Sequence, residues 1–308
     1  MQFVFQYSYQ LIGGAALILL MIGYPLYHHF AHKKGHGHKA PKKKTLARVW
    51  KEFLKQIPSE FRRSILAYPT VVVMGEAGSG KSSLIGKATD WKGQAAQFYP
   101  SYTADPSLQI YLGSRTLVEE IPAALLFDVK PAARASLIKH WKPLFKHRDP
   151  IVVITLSASA LRSATPDSLR TLAQMIRGKV NVISRLRKKP VKIRIVLTHM
   201  DQVDGYLAFS QFLERQGIPV RLDIGESAAK SLDTLLVPYE KYLPLALTTL
   251  QSKAYLKVLT FLSKAPATFA FLGILLDTLR AADPLSAEPE ISELYFSSDT
   301  QGNAAAIA

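Results

Sequence analysis

The chain has 308 residues, 48% of them hydrophobic, enough for one large or two modest domains with a real core. It has no cysteine, which excludes a disulfide framework and a thiolate metal site. The net charge of +16 would suit nucleic acid. However, the excess lies mainly in a lysine-rich segment near the N-terminus and in the run Arg185–Arg194. No aromatic-studded basic module of the single-strand-binding kind is present, so nucleic acid is not expected as a partner.

In chain order, the first element is apolar. No charge occurs from Met1 to Tyr27, and Phe3 to Tyr27 supplies the roughly 20 apolar residues that span a bilayer. Tyr7, Tyr9, Tyr24 and Tyr27 are placed like interface aromatics. Lys33, Lys34, Lys39, Lys42, Lys43 and Lys44 follow the run, the reverse of the order in a secretory signal. Residues 1–30 are therefore expected to form a single-pass membrane anchor. The N-terminus would lie outside, the body in the cytoplasm, and membrane lipid would be one partner. Residues 31–44, with His32, His36 and His38 among the lysines, read as a solvated basic linker.

Residues 45–64 predict an amphipathic helix. Leu46, Val49, Trp50, Phe53, Leu54 and Ile57 make one apolar face, with Thr45 as N-cap and Pro58 as end. Docking of that face onto the following domain is expected in preference to a membrane surface.

Residues 65–225 alternate strands and helices, the pattern of a doubly wound α/β sheet. Strands are expected at Thr70–Met74, at Leu108–Leu112 and Thr116–Glu120 as a hairpin, and at Ala123–Val129, Ile151–Leu156 and Ile193–Thr198. Helices are expected at Ala132–Phe145, Asp167–Leu186 and Tyr206–Arg215. Residues 226–296 read as a helical extension, with Phe261–Leu279 a packed helix rather than a membrane span. Residues 297–308 read as a tail of small and polar residues.

The chemistry lies after the first strand. Gly75-Glu76-Ala77-Gly78-Ser79-Gly80-Lys81-Ser82 is a complete G-x-x-x-x-G-K-[ST] phosphate loop, with a β-branched strand before it and Ser83 opening a helix after it. The glycines let main-chain N–H groups curl around phosphates, Lys81 is placed for the β- and γ-phosphates, and Ser82 for Mg²⁺. Asp128, ending the expected strand Leu125–Asp128, is the candidate second Mg²⁺ group, and Thr103 a candidate third. Counted from Asp128, a D-x-x-G motif would end at Pro131, which has no N–H for a γ-phosphate, and no glutamine follows to orient a water. Thr198-His199-Met200-Asp201 matches [NT]-K-x-D in position and half its content. Asp201 is placed to accept from guanine N1 and N2, and His199 stands where the motif has lysine. Glu226-Ser227-Ala228 is a further candidate base-contacting loop.

The assembled order resembles the IcmF/TssM family of type VI secretion and its type IVB relatives. The T-x-x-D at Thr198–Asp201 runs into Val203-Asp204-Gly205-Tyr206-Leu207-Ala208-Phe209, and Tyr295-Phe296-Ser297-Ser298-Asp299-Thr300-Gln301-Gly302 is similar to the family's late YF-[ST]-S-x-T-Q-x-G signature. Where that family carries D-T-A-G-R after the strand Asp, this chain has Asp128-Val129-Lys130-Pro131. The resemblance implies a GTPase-like scaffold or assembly switch anchored in a bacterial inner membrane and using GTP, or ATP, with Mg²⁺, and other subunits of an envelope-spanning complex as partners. The expected architecture is thus a P-loop NTPase of small-GTPase type with a helical extension, preceded by one transmembrane helix. An ATP-hydrolysing motor and a structural scaffold with a vestigial site are the alternatives.

Overall fold

A computed structural model describes residues 46–298 apart from 58, 60–61, 66, 88–107, 114–115, 146–147, 225–235 and 270. The anchor, the basic linker, Thr103, Glu226–Ala228 and residues 299–308 lie outside the described residues.

Helix α1 (Leu46–Gln56) buries Leu46, Val49, Phe53 and, just beyond its end, Ile57 in the main core, and it packs on a later helix, α5 (Pro131–Phe145). The apolar face is therefore docked, as its spacing predicts. The short helix α2 (Arg62–Ile65) leads to β1 (Thr70–Met74), every residue of which is buried. β1 is central: its valines at 71 and 73 face one side, and Val72 and Met74 the other.

After the loop and helix α3 (Lys81–Gly86), the hairpin of β2 (Gln109–Leu112) and β3 (Leu117–Glu120) adds to one edge of β1. On the other side β1 pairs in parallel with β4 (Ile151–Ser157), and β4 with β5 (Lys192–Thr198). Between them run α6 (Ala158–Ser163) and α7 (Pro166–Arg187). Thr165 caps α7 in a reciprocal capping box with Ser168, and Pro166 takes the first helical position.

Ala123–Val129 is not a strand. Its first part is a helix, α4 (Ala123–Leu126), which Pro122 opens at the N-cap. A short apolar run fits a buried strand or a helix equally well. Here a preceding proline and an Ala-Ala-Leu-Leu sequence select the helix. Asp128 consequently does not end a strand. Its carboxylate accepts the N–H of Lys130, and its main-chain carbonyl accepts Lys179 Nζ from α7.

The extension expected over 226–296 returns to the sheet. α8 (Tyr206–Arg215) and β6 (Arg221–Asp223) precede α9 (Val237–Glu240), α10 (Leu243–Thr249), α11 (Ser252–Phe269) and α12 (Leu272–Arg280). The chain then forms β7 (Glu290–Phe296), which inserts between β5 and β6. The seven-stranded mixed sheet has the order β2-β3-β1-β4-β5-β7-β6, with β6 antiparallel at the edge. Ser297 and Ser298, read as the start of a tail, are buried beyond β7.

Phe261–Leu279 is two helices, α11 and α12, set at 45° and packed on α8 and α7 respectively. Among the described residues no single helix is long and apolar enough to cross a membrane, although this bent pair has the length and composition. Its Phe261, Phe269, Leu272, Leu275 and Leu279 lie in the protein core.

Candidate functional site

The chain leaves β1 toward β3 on one side and later toward β4 on the other, which makes the end of β1 a topological switch point, where ligands of open α/β sheets sit. The Gly75–Ser82 loop occupies that point. Gly75 passes so close to β4 that an added Cβ would lie 2.4 Å from Thr155 Oγ1 and 2.5 Å from its carbonyl oxygen. Gly78 and Gly80 take left-handed φ values of 73° and 76°, which turn the chain into α3.

Lys81 is buried, and its ammonium donates to the carbonyls of Gly75 at 3.0 Å and Glu76 at 2.6 Å. The side chain thus folds back over the loop, its head held at the loop's mouth. Burial lowers its pKa from the usual lysine value, and the carboxylates of Glu120 and Glu76 work against that shift. Beneath the loop, Ser79 Oγ lies 2.7 Å from Thr155 Oγ1. Thr198 Oγ1, at the end of β5, donates to the Ser79 carbonyl at 2.9 Å. A cavity of about 330 Å³ opens beside Glu76–Ser79, walled by the end of β4 and by α6 and α7.

The carboxylate that meets the loop is Glu120, the last residue of β3. Ser82 Oγ donates to its two oxygens at 2.9 and 3.0 Å, and Tyr111 Oη on β2 donates to it at 2.8 Å. Asp128 lies instead in a cleft between α5 and α7, with Arg134, Lys179 and Arg185. The strand Thr116–Glu120 is legible in the sequence, and its terminal Glu119-Glu120 pair is the signal that a search for a strand-ending Asp passes over. Counted from Glu120, the third residue on is Ala123, which has an N–H. Pro131 is thus not at the γ-phosphate position of such a motif, and it begins α5.

The hydrogen bond between them puts the Ser82 hydroxyl and the Glu120 carboxylate side by side at the loop. Two hard oxygen donors suit Mg²⁺ completed by phosphate oxygens and water. Among the described residues no group of three or more His, Cys, Asp or Glu is placed to hold a metal without such help.

Glu119 points to the opposite face and is fully buried. Its carboxylate receives His140 Nε2 and Trp141 Nε1 of α5, each at 2.9 Å, and the His140 ring stands edge-on to Trp50 of α1 at 5.8 Å.

At the end of β5, His199 adopts a left-handed φ of 53°, rare for a residue with a side chain. This turns the chain into a 3-10 turn, Met200–Gln202, that carries the half-buried Asp201. Asp201 also borders a cleft of about 580 Å³ between α8 and α11. Gly205 next to it has a φ of 81° and abuts the Lys257 carbonyl, where a Cβ would lie 2.0 Å away. The structure therefore brings Gly75–Ser83, Glu120 and Thr198–Asp201 to one rim of the sheet, and leaves Asp128 off it.

No protein-family model and no curated protein sequence matches the chain. Solved structures with a similar arrangement include an ADP-ribosylation-factor-like GTP-binding protein, a small COPII coat GTPase from Encephalitozoon cuniculi in complex with GDP. It is 12% identical, covering 85% of this chain and 87% of that one, with a TM-score of 0.36. The signal recognition particle receptor complex from Chaetomium thermophilum is 15% identical over 49% of this chain and 79% of that one, at 0.28. The G domain of the FeoB iron transporter from T. maritima is 16% identical over 49% and 84%, at 0.24. Likenesses of that degree carry no argument, and the phosphate-loop assignment rests on the motif, the loop geometry and the switch-point position.

Proposed function

We propose that the chain binds a Mg²⁺–nucleoside triphosphate at the Gly75–Ser82 loop and acts as a membrane-anchored switch or scaffold subunit of an envelope-spanning, type VI-like secretion complex. The observation that carries the nucleotide reading is the loop itself. Left-handed Gly78 and Gly80, the Lys81 ammonium held by the loop's own carbonyls, and the Thr198 clasp give a preformed phosphate cradle at the switch point.

Within that cradle the main-chain N–H groups of the loop would donate to phosphate oxygens, and Lys81 would neutralise charge at the β- and γ-phosphates. Ser82 and Glu120 would hold Mg²⁺, with Tyr111 orienting Glu120. When bound, the ion would offset the negative charge of the phosphates. Asp201 supports guanine over adenine, because its carboxylate accepts from the two N–H groups that guanine alone presents.

The base assignment is tested by competing GTP against ATP on the purified full chain. GTP should win in the native protein and lose its advantage in Asp201→Asn; equal competition in both would end the guanine reading. Anchoring rests on the uncharged apolar run and its lysine flank, and the complex on the resemblance of the late signature. Protease added to intact spheroplasts should spare the body of the chain, and cleavage there would refute the topology.

A further inference from the structure

We propose that Trp50 of α1 and His140 of α5 are positioning residues for the Mg²⁺ side of the nucleotide site, acting through Glu119 on its neighbour Glu120. The proposal rests on the reading of Ser82 and Glu120 as Mg²⁺ ligands, and it adds two residues that touch neither ion nor phosphate.

The contacts run without a break from α1 to the loop. The Trp50 ring stacks on Phe53, with 5.3 Å between centroids, and meets the His140 ring edge-on at 5.8 Å. His140 Nε2 and Trp141 Nε1, consecutive on α5, hold the two oxygens of Glu119, each at 2.9 Å. One residue on, Glu120 receives Ser82 Oγ at 2.9 and 3.0 Å and Tyr111 Oη at 2.8 Å. Successive strand side chains point to opposite faces. The end of β3 is thus gripped by α1 and α5 on one face and by the start of α3 on the other.

Glu119 sets the stiffness of this link. Its side chain is 0% exposed and that of His140 is 2% exposed, and the neighbours of Glu119 on the adjacent strands, Val72 and Ile110, are apolar. A buried carboxylate cannot exchange a lost partner for water, so it stays with the donors that α5 presents. If α1 lifts, water reaches His140 and competes for Glu119, and the end of β3 is freed to turn Glu120 away from Ser82. The next amide, Ile121 N–H, donates to the Val73 carbonyl at 2.9 Å and reports that freedom. Coupling is reciprocal, so Mg²⁺–nucleotide held at Glu120 strengthens the docking of α1. The proposed anchor and its basic linker lead in sequence into α1, which gives nucleotide state a route toward the N-terminus.

The test uses the full chain in nanodiscs and two readouts. One is GTP affinity, with Mg²⁺ and in EDTA; the other is hydrogen exchange of the segment Leu117–Ile121 without nucleotide. Trp50 is half-buried, so Trp50→Leu spares the core. It should weaken Mg²⁺–GTP about two- to thirtyfold, the range for residues along a coupled network. His140→Leu removes a donor and should weaken it about tenfold or more, whereas His140→Gln keeps a donor and should restore it. Affinity in EDTA should be unchanged throughout, and exchange at Leu117–Ile121 should quicken in the two leucine variants alone. Unaltered Mg²⁺–GTP affinity in Trp50→Leu, or falls of equal size with and without Mg²⁺, would overturn the coupling. Glu120→Gln that binds Mg²⁺–GTP as tightly as the native chain would instead overturn the ligand assignment beneath it.

Discussion

Thr198 Oγ1 donates to the main-chain carbonyl of Ser79 at 2.9 Å, which ties the end of β5 to the middle of the phosphate loop. The same hydroxyl also lies 3.2 Å from the Leu156 carbonyl near the end of β4, so two strand ends and the phosphate loop share one junction. Gly80 is packed against it, with an added Cβ falling 3.1 Å from Thr198 Cβ. Thr198→Val keeps the shape but removes the donor to a buried carbonyl. It should cost about 1–3 kcal/mol of stability, read by denaturant titration, and should weaken nucleotide affinity alongside.

Glu120 and Asp128 make opposite predictions. Glu120→Gln should reduce Mg²⁺-dependent nucleotide affinity by about tenfold or more, equivalent to roughly 1.4 kcal/mol. Asp128→Asn should leave it unchanged, since that carboxylate accepts the Lys130 N–H and faces the α5–α7 cleft rather than the loop. Isothermal titration with and without Mg²⁺ reads both.

The loop glycines should differ in a definite order. Gly75→Ala drives a methyl into the Thr155 side chain and carbonyl, at a cost of about 2–3 kcal/mol. Gly78→Ala meets no atom within 4 Å but must hold a left-handed φ, costing about 1 kcal/mol. Equal midpoints in thermal melts of the two variants would contradict this ordering.

On the opposite face, the Glu119 carboxylate is bound by His140 and Trp141. His140→Leu leaves a buried carboxylate half-satisfied and should cost about 3 kcal/mol or more. Because Glu119 adjoins Glu120, nucleotide affinity in the folded variant also shows whether β3 holds its register without this anchor.

The parts of this site differ in how plainly the sequence shows them. The loop is legible because only one spacing of Gly, Lys and Ser forms it, and a β-branched strand precedes it. β3 is legible as a strand, yet its Glu120 is overshadowed by Asp128, because the apolar run 123–129 has no period that separates strand from helix. β7 is hidden for a different reason. A register shift opposite Ile193 and Arg194 puts Ile291 and Leu294, three residues apart, into the same core, and the two-residue alternation of a strand is lost. Three-residue β6 is too short for any pattern to register.

Turnover by the purified chain should be slow, on the order of 10⁻⁴ to 10⁻³ per second, as for an unassisted small GTPase. Between Glu120 and the start of α5 the sequence Ile121–Lys130 contains no glutamine to orient a water. Single-turnover phosphate release within seconds, abolished by Lys81→Ala, would show that the chain carries its own catalytic group.

The most direct test of the account is an equilibrium titration of Mg²⁺–GTP against the native chain and Lys81→Ala. Lys81 Nζ sits on the carbonyls of Gly75 and Glu76 at the mouth of the loop, and the variant removes the only loop cation while sparing the glycines. The account predicts saturable, Mg²⁺-dependent binding by the native chain and a loss of about a hundredfold or more in the variant, roughly 2.7 kcal/mol. Equal affinity in the two proteins, or no binding by either, would contradict it.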